Sequence, residues 1–206
     1  MAITSYAELQ TAIGNFLARS DLTDRIPEFI SLAEARMSRE LNSRSQEKRA
    51  TAATIASDEF ISLPTDLRKI RLVKLNTDPV GVLDYASPTD FYTTYPSSGG
   101  GRPKYYTVIG SEIALRPIPD SIYTLELIYG EDIAALSSSN TTNTILTRHP
   151  DSYLYGSLSA AYIYLMDEAR AAQYDTLFSR SIVEINNSND RAYYSGTLSM
   201  KSDYSG

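Results

Sequence analysis

Leu22-Thr23-Asp24-Arg25-Ile26-Pro27-Glu28-Phe29-Ile30-Ser31-Leu32-Ala33-Glu34-Ala35-Arg36-Met37-Ser38-Arg39-Glu40-Leu41 is the stretch from which the fold can be read. Ile26, Ile30, Ala33, Met37 and Leu41 recur at helical spacing, with Glu28, Glu34, Arg36 and Arg39 on the other face. Pro27 suits a first helical turn, where its missing N–H costs nothing. The stretch therefore predicts an amphipathic helix with a single apolar stripe, and such a helix must bury that stripe against other elements.

Toward the N-terminus, Ser5-Tyr6-Ala7-Glu8 has the capping-box form, and Leu9, Ile13, Phe16 and Leu17 follow at helical spacing. This predicts a first helix from about Tyr6 to Arg19. Toward the C-terminus the period changes from 3.6 to 2 near Gln46, and strands are expected until about Asp132. Tyr123, Leu125, Leu127 and Tyr129 alternate with Thr124, Glu126 and Ile128, whereas Ile70, Leu72 and Leu75 break alternation and predict a bulge or a doubly buried strand. Tyr106–Ile109 and Glu112–Leu115 flank Gly110-Ser111, a two-residue hairpin connection in which glycine can take positive φ. Two polar or glycine-rich breaks, Tyr95–Gly101 and Ser137–Asn143, are expected to be mobile loops.

Helical spacing returns after Pro150 with Tyr153, Leu154, Leu158, Ala161, Tyr162 and Leu165. Asp167 can cap a further helix carrying Tyr174, Leu177, Phe178, Ser181 and Ile185, which fades through Asn186–Asn189. The predicted class is α+β. A four-helix bundle is formed from two terminal helix pairs (residues 1–45 and 147–189), with a strand-rich insertion (46–146) and an extended C-terminal tail (190–206).

The chain of 206 residues is long enough to bury a core, and its 42% hydrophobic and 21% charged content is that of a globular protein. Its net charge of −6 is the wrong sign for gripping nucleic acid through phosphates. Cysteine is absent, which removes disulfides, thiolate nucleophiles and Cys-type zinc sites. Met1–Tyr6 shows no basic stretch followed by an apolar run, so the product is expected to stay in the cell that makes it, and Ala160–Met166 is too short to span a bilayer. Tyrosine is over-used, 16 residues against 5 Phe and no Trp, which suits surfaces that become buried on association and equally suits strands.

The sequence is poor in chemistry. His149, the only histidine, stands beside a proline at a helix start with no triad-like or metal-like neighbour. The adjacent acids Asp58-Glu59, Glu131-Asp132 and Asp167-Glu168 sit at predicted element ends, where capping is the ordinary role. Gly99-Gly100-Gly101-Arg102 precedes a strand, so the helix N-terminus of a phosphate cradle is missing. Arg68, Lys69, Arg71 and Lys74 alternate along a strand and build no single basic patch. No catalytic residue, cofactor site or metal site is expected.

Leu22-x-Asp24-x-Ile26-Pro27-x-Phe29-Ile30-x-Leu32-Ala33-Glu34-x-Arg36-Met37-x-Arg39-x-Leu41 is similar to the second helix of the head-to-tail connector, or adaptor, proteins of tailed bacteriophages. Leu63-Pro64-x-Asp66-Leu67, Arg116-Pro117 before Tyr123-x-Leu125-x-Leu127-x-Tyr129, His149-Pro150-Asp151-x-Tyr153-Leu154-Tyr155-Gly156-x-Leu158, and Asp167-Glu168-x-Arg170-Ala171 to Asn189-Asp190-Arg191-Ala192 resemble the same family in the same order. The resemblance implies a non-enzymatic virion protein at the head-tail junction, made in the host bacterial cytoplasm. It implies a ring, usually of twelve subunits, under the portal protein and above a tail nozzle or stopper protein, with DNA passing through the lumen without specific binding. It also implies that the C-terminal tail reaches the portal, which makes Tyr193, Tyr194, Leu198, Met200 and Tyr204 the expected portal contacts. Alternatives are another phage ring or head-completion protein, a Tyr-rich carbohydrate-binding module, or a hydrolase, the last disfavoured by the empty motif search.

Overall fold

Ser5 begins the helical part of the molecule. Its side chain accepts from the Glu8 N–H while the Glu8 carboxylate accepts from the Ser5 N–H, so the capping box is formed and starts α1 (Tyr6–Leu17). In this computed structural model, which describes residues 3–41, 46–95 and 99–193, α2 (Ile26–Glu40) has Pro27 in its first turn and buries Ile26, Phe29, Ile30, Ala33 and Met37. The chain divides into two compact units, residues 1–42 with 133–206 and residues 43–132.

In the helical unit, α1 and α2 share a core with α4 (Thr144–Arg148), α5 (Pro150–Tyr164) and α6 (Glu168–Tyr193). Asp167 caps α6 as expected, its carboxylate accepting from the Arg170 N–H at 3.1 Å. The backbone of α6 runs to Tyr193, past the expected tail start at Asp190, although its last described buried apolar residue is Ile185. Gly156 is the tightest point of the unit. A Cβ there would lie 2.9 Å from both the Ala33 Cβ and the Phe178 ring, so α5 approaches α2 and α6 at a spacing only glycine permits.

The β unit, numbered here in chain order, holds β1 (Glu47–Ala53), β2 (Phe60–Ser62), β3 (Leu67–Leu75), β4 (Gly81–Val82), β5 (Asp84–Tyr85), α3 (Pro88–Thr94), β6 (Gly100–Gly101), β7 (Tyr105–Ile109), β8 (Glu112–Arg116), β9 (Ile118–Pro119) and β10 (Thr124–Glu131). One sheet has the order β1-β10-β3-β4 and a second β2-β8-β7-β5, with β6 and β9 as a small parallel pair. Val73, Leu75, Leu125, Leu127 and Tyr129 of the first sheet meet Ile113 and Leu115 of the second in one core. The β7–β8 hairpin turns at Gly110, with φ +61°, as read from the sequence. The predicted bulge is also present: Ile128 faces Leu72 but Tyr129 faces Ile70, which leaves Arg71 as the extra residue. The strands through which the chain enters and leaves the unit lie side by side, Glu47 opposite Gly130.

Three local expectations are corrected. The strand-rich block contains a helix, α3, capped by Ser87 and anchored by Phe91, which the short run Pro88–Thr94 did not signal. Of the Tyr95–Gly101 break, Gly100–Gly101 is strand paired with β9, and Pro96–Ser98 lie outside the described residues. The Ser137–Asn143 stretch, a loop expected at the end of the 46–146 insertion, belongs instead to the helical unit. Asn140 Nδ2 donates to the Ala135 carbonyl at 2.7 Å, Asn143 Nδ2 to the Ala134 carbonyl at 2.8 Å, and the Tyr6 N–H to the Thr141 carbonyl at 2.7 Å. Side-chain amides bonding to nearby backbone supply the order that apolar burial does not.

Candidate assembly interface

Most of the polar residues singled out by sequence have structural partners. His149 joins α4 to α5, its N–H donating to the Ile145 carbonyl at 2.7 Å. Asp58 accepts from the Phe60 N–H at 3.0 Å, and Glu59 accepts from Arg116 at 2.9 Å and from the Tyr92 hydroxyl at 3.1 Å. The Arg116 side chain is only 4% exposed and its guanidinium lies 5.5 Å from the ring centres of Phe91 and Tyr92, which ties α3 to β8. Glu131 and Asp66 share the Lys48 ammonium at 2.9 and 2.7 Å, and these contacts together with the Tyr129 hydroxyl hold the Asp66 carboxyl below its ordinary range. Arg71 pairs with Glu47 and Lys74 with Glu126, so two of the four basic residues of the run are neutralised within their own sheet. Arg102, beside the glycine run, is tied to the Thr77 hydroxyl and the Pro79 carbonyl. Among the described residues no group of three or more His, Asp or Glu could hold a metal ion, and no helix is long and apolar enough to cross a membrane.

One polar centre escaped sequence reading. Glu34 of α2 is half-buried and accepts from the Leu136 N–H at 2.8 Å and from the Tyr153 hydroxyl at 3.1 Å, while Tyr153 in turn accepts from Asn143 Nδ2 at 2.6 Å. Burial raises the Glu34 carboxyl, opposed by its two donors, and burial first and Glu34 second raise the Tyr153 phenol. This network pins the 133–143 segment to the helices. No local motif announces it, because its members are far apart in the chain.

Apolar surface left open is found in both units. On the helical unit a groove of about 220 Å³ between α2 and α5 is lined by Leu32, Ala33, Gly156, Ala160 and Ile163, with Arg36 and Arg39 at its rim. Leu32 and Ile163 are 59% and 67% exposed, and Met166, in the tight α5–α6 connection, is 89% exposed. On the β unit a second opening, about 230 Å³, lies between the edge strands of the two sheets, floored by Ile61, Ile113, Leu125 and Leu127. Many tyrosines instead pair internally: Tyr95 stacks on Tyr105 at 3.9 Å and Tyr162 on Tyr174 at 5.4 Å, while Tyr129 and Tyr153 are buried. Of the expected portal contacts, Tyr193 is the last residue of α6, and Tyr194, Leu198, Met200 and Tyr204 lie outside the described residues.

Both units thus leave apolar surface open, of the kind that association with a partner covers, while the carboxylates beside it are tied into structural pairs. The chain belongs to the SU10 adaptor protein family, whose model matches residues 4–201. No curated protein matches it. Membership makes it a phage adaptor, a structural part of the virion that contacts other head and tail components.

Proposed function

We propose that the chain is a non-enzymatic head-to-tail adaptor that forms a ring, of twelve copies as the family resemblance implies, beneath the portal. The ring joins the DNA-filled head to the tail nozzle or stopper and lines the DNA channel. In this reading the terminal helix pairs act as a four-helix bundle, the β unit is an insertion, and Tyr193 at the end of α6, with Tyr194, Leu198, Met200 and Tyr204 beyond it, reaches the portal. The observation that carries the reading is the presence of two different open apolar surfaces, the α2–α5 groove and the β-unit opening. A ring is built from heterologous contacts, in which each subunit buries two unlike surfaces, and an apolar surface open on each unit is what such contacts would cover. The net charge of −6 per subunit opposes DNA sticking to the wall during passage.

Mass measurement of the purified protein alone and with portal-bearing heads tests this. A monomer that becomes a ring only on the portal is the expected result; stable rings without portal would overturn only this order of assembly, and no loading onto heads would overturn the adaptor reading. Truncation after Tyr193 keeps all of α6 and is expected to abolish stable loading.

A further inference from the structure

We propose that the outer edge of β1 receives the segment Thr197-Leu198-Ser199-Met200-Lys201 of a neighbouring copy as an added strand, with Leu198 and Met200 filling the opening beside Ala50 and Ala52. The inference rests on the adaptor reading and deepens it by naming the contact that links one subunit to the next. It reassigns Leu198 and Met200 from the portal to the neighbouring subunit and leaves Tyr193, Tyr194 and Tyr204 for the portal.

The receiving edge is defined by hydrogen-bond direction. β1 is the terminal strand of its sheet and pairs only with β10 among the described residues. The Thr54 N–H donates to the Tyr123 carbonyl, and the Asn76 N–H to the Thr124 carbonyl on the opposite side of β10. Because antiparallel bonding alternates, Ala52, Ala50 and Lys48 turn their backbone groups toward β10, while Ala53, Thr51, Arg49 and Glu47 turn theirs outward. Edge strands are ordinarily guarded by charges, prolines or bulges. The first half of β1 carries Glu47, Lys48 and Arg49, but Ala50-Thr51-Ala52-Ala53 carries none of these guards.

The opening beside this edge exists because β1 contributes only small side chains to it. Ala50, Thr51 and Ala52 form one wall and Ile61, Ser62, Leu63 and Pro64 the other, over a floor of Ile113, Leu125 and Leu127. The opposite edge, β2, is only three residues long, so β1 is the better template. A strand added to β1 would present two inward side chains about 6.6 Å apart, next to Ala50 and Ala52. Leu198 and Met200 have that spacing, and Thr197, Ser199 and Lys201 alternate with them on what would be the solvent face. Of the residues outside the described set, 1–2, 42–45 and 96–98 are too short to supply such a strand, whereas 194–206, at roughly 3.3 Å per residue, reach on the order of 40 Å. In this register Thr51 lies opposite Ser199.

The absence of cysteine makes the test clean. Full-length Thr51→Cys and Ser199→Cys proteins carrying different tags are mixed in equal amounts, loaded onto portal-bearing heads and mildly oxidised. A disulfide-linked heterodimer is the expected product. Adding Ala52→Leu to the Thr51→Cys protein fills the opening and is expected to lower its yield about tenfold, with an unchanged circular dichroism spectrum confirming the fold. Loading of both proteins without heterodimer would overturn the inference and leave the adaptor reading standing. A Thr51→Cys, Ser199→Cys double variant that closes its disulfide within one chain would also overturn it. If wild-type protein does not load onto heads at all, the adaptor reading fails and the inference with it.

Discussion

The helical unit and the β unit solve the burial problem differently. The helical core is continuous, from Leu9 and Ile13 of α1 through Met37 to Phe178 and Ile185, and it is so tight at Gly156 that one methyl group would collide. The β-unit core is smaller, and along β1 it is finished with alanines rather than branched residues, which leaves it open at one edge. Packing at the density of a crystal resists change, and an open seam accepts it. The helical unit is therefore suited to be the fixed platform and the β unit to receive a partner.

The largest expected effect breaks the platform. Gly156→Val should cost about 3 kcal/mol, since α5 must move away from both Ala33 and Phe178. Urea denaturation checks this, and a loss under roughly 1 kcal/mol would mean that the helical unit is as yielding as the β seam. Next comes the buried network. Tyr153→Phe removes the hydroxyl that links Asn143 to Glu34 and should cost about 1 to 2 kcal/mol, with hydrogen exchange rising first in 133–143. Faster exchange in α1 instead would show that the segment is held by other contacts.

The smallest effect is one of sign. Glu34 has a folded pKa raised by burial, so its contribution is fully present below its ordinary 4.5 and is lost as pH rises through the raised value. Asp66 and Glu126 are depressed, chiefly by hydrogen bonds from Lys48 and from Asn76, so their contributions are present above their ordinary 3.8 and 4.5 and are lost as pH falls through the lowered values. Glu8 of the α1 capping box and Asp21 beside Arg19 are depressed as well, so acidification should weaken both units, and the helical unit less because Glu34 acts in the opposite direction. Residue-resolved NMR denaturation at acid and neutral pH tests it, and equal acid sensitivity in the two units would contradict it.

The same contrast explains what the sequence could reveal. Ser5, Pro27, Pro150 and Asp167 act within a turn of themselves, and Gly110 within a hairpin, so these element boundaries were legible. The order of Ser137–Asn143 was not, because it depends on Glu34 and Tyr153 as well as on local amide bonds. Nor was α3, whose Phe91 is buried against Ala114 of a strand later in the chain. The candidate interface was least legible. A groove between helices and a seam between sheets are spaces, and they are defined by residues such as Gly156, Ala50 and Ala52 that contribute little side chain.

The pairing of Glu47 with Gly130 has a consequence for how such genes can change. Because the chain leaves and re-enters the helical unit through adjacent antiparallel strands, the whole of 43–132 occupies the topological place of a single loop. Recombination between related phages could exchange that block for one of another length or sequence without rethreading a helix. The helical unit, whose core is tightest at Gly156, would be inherited intact.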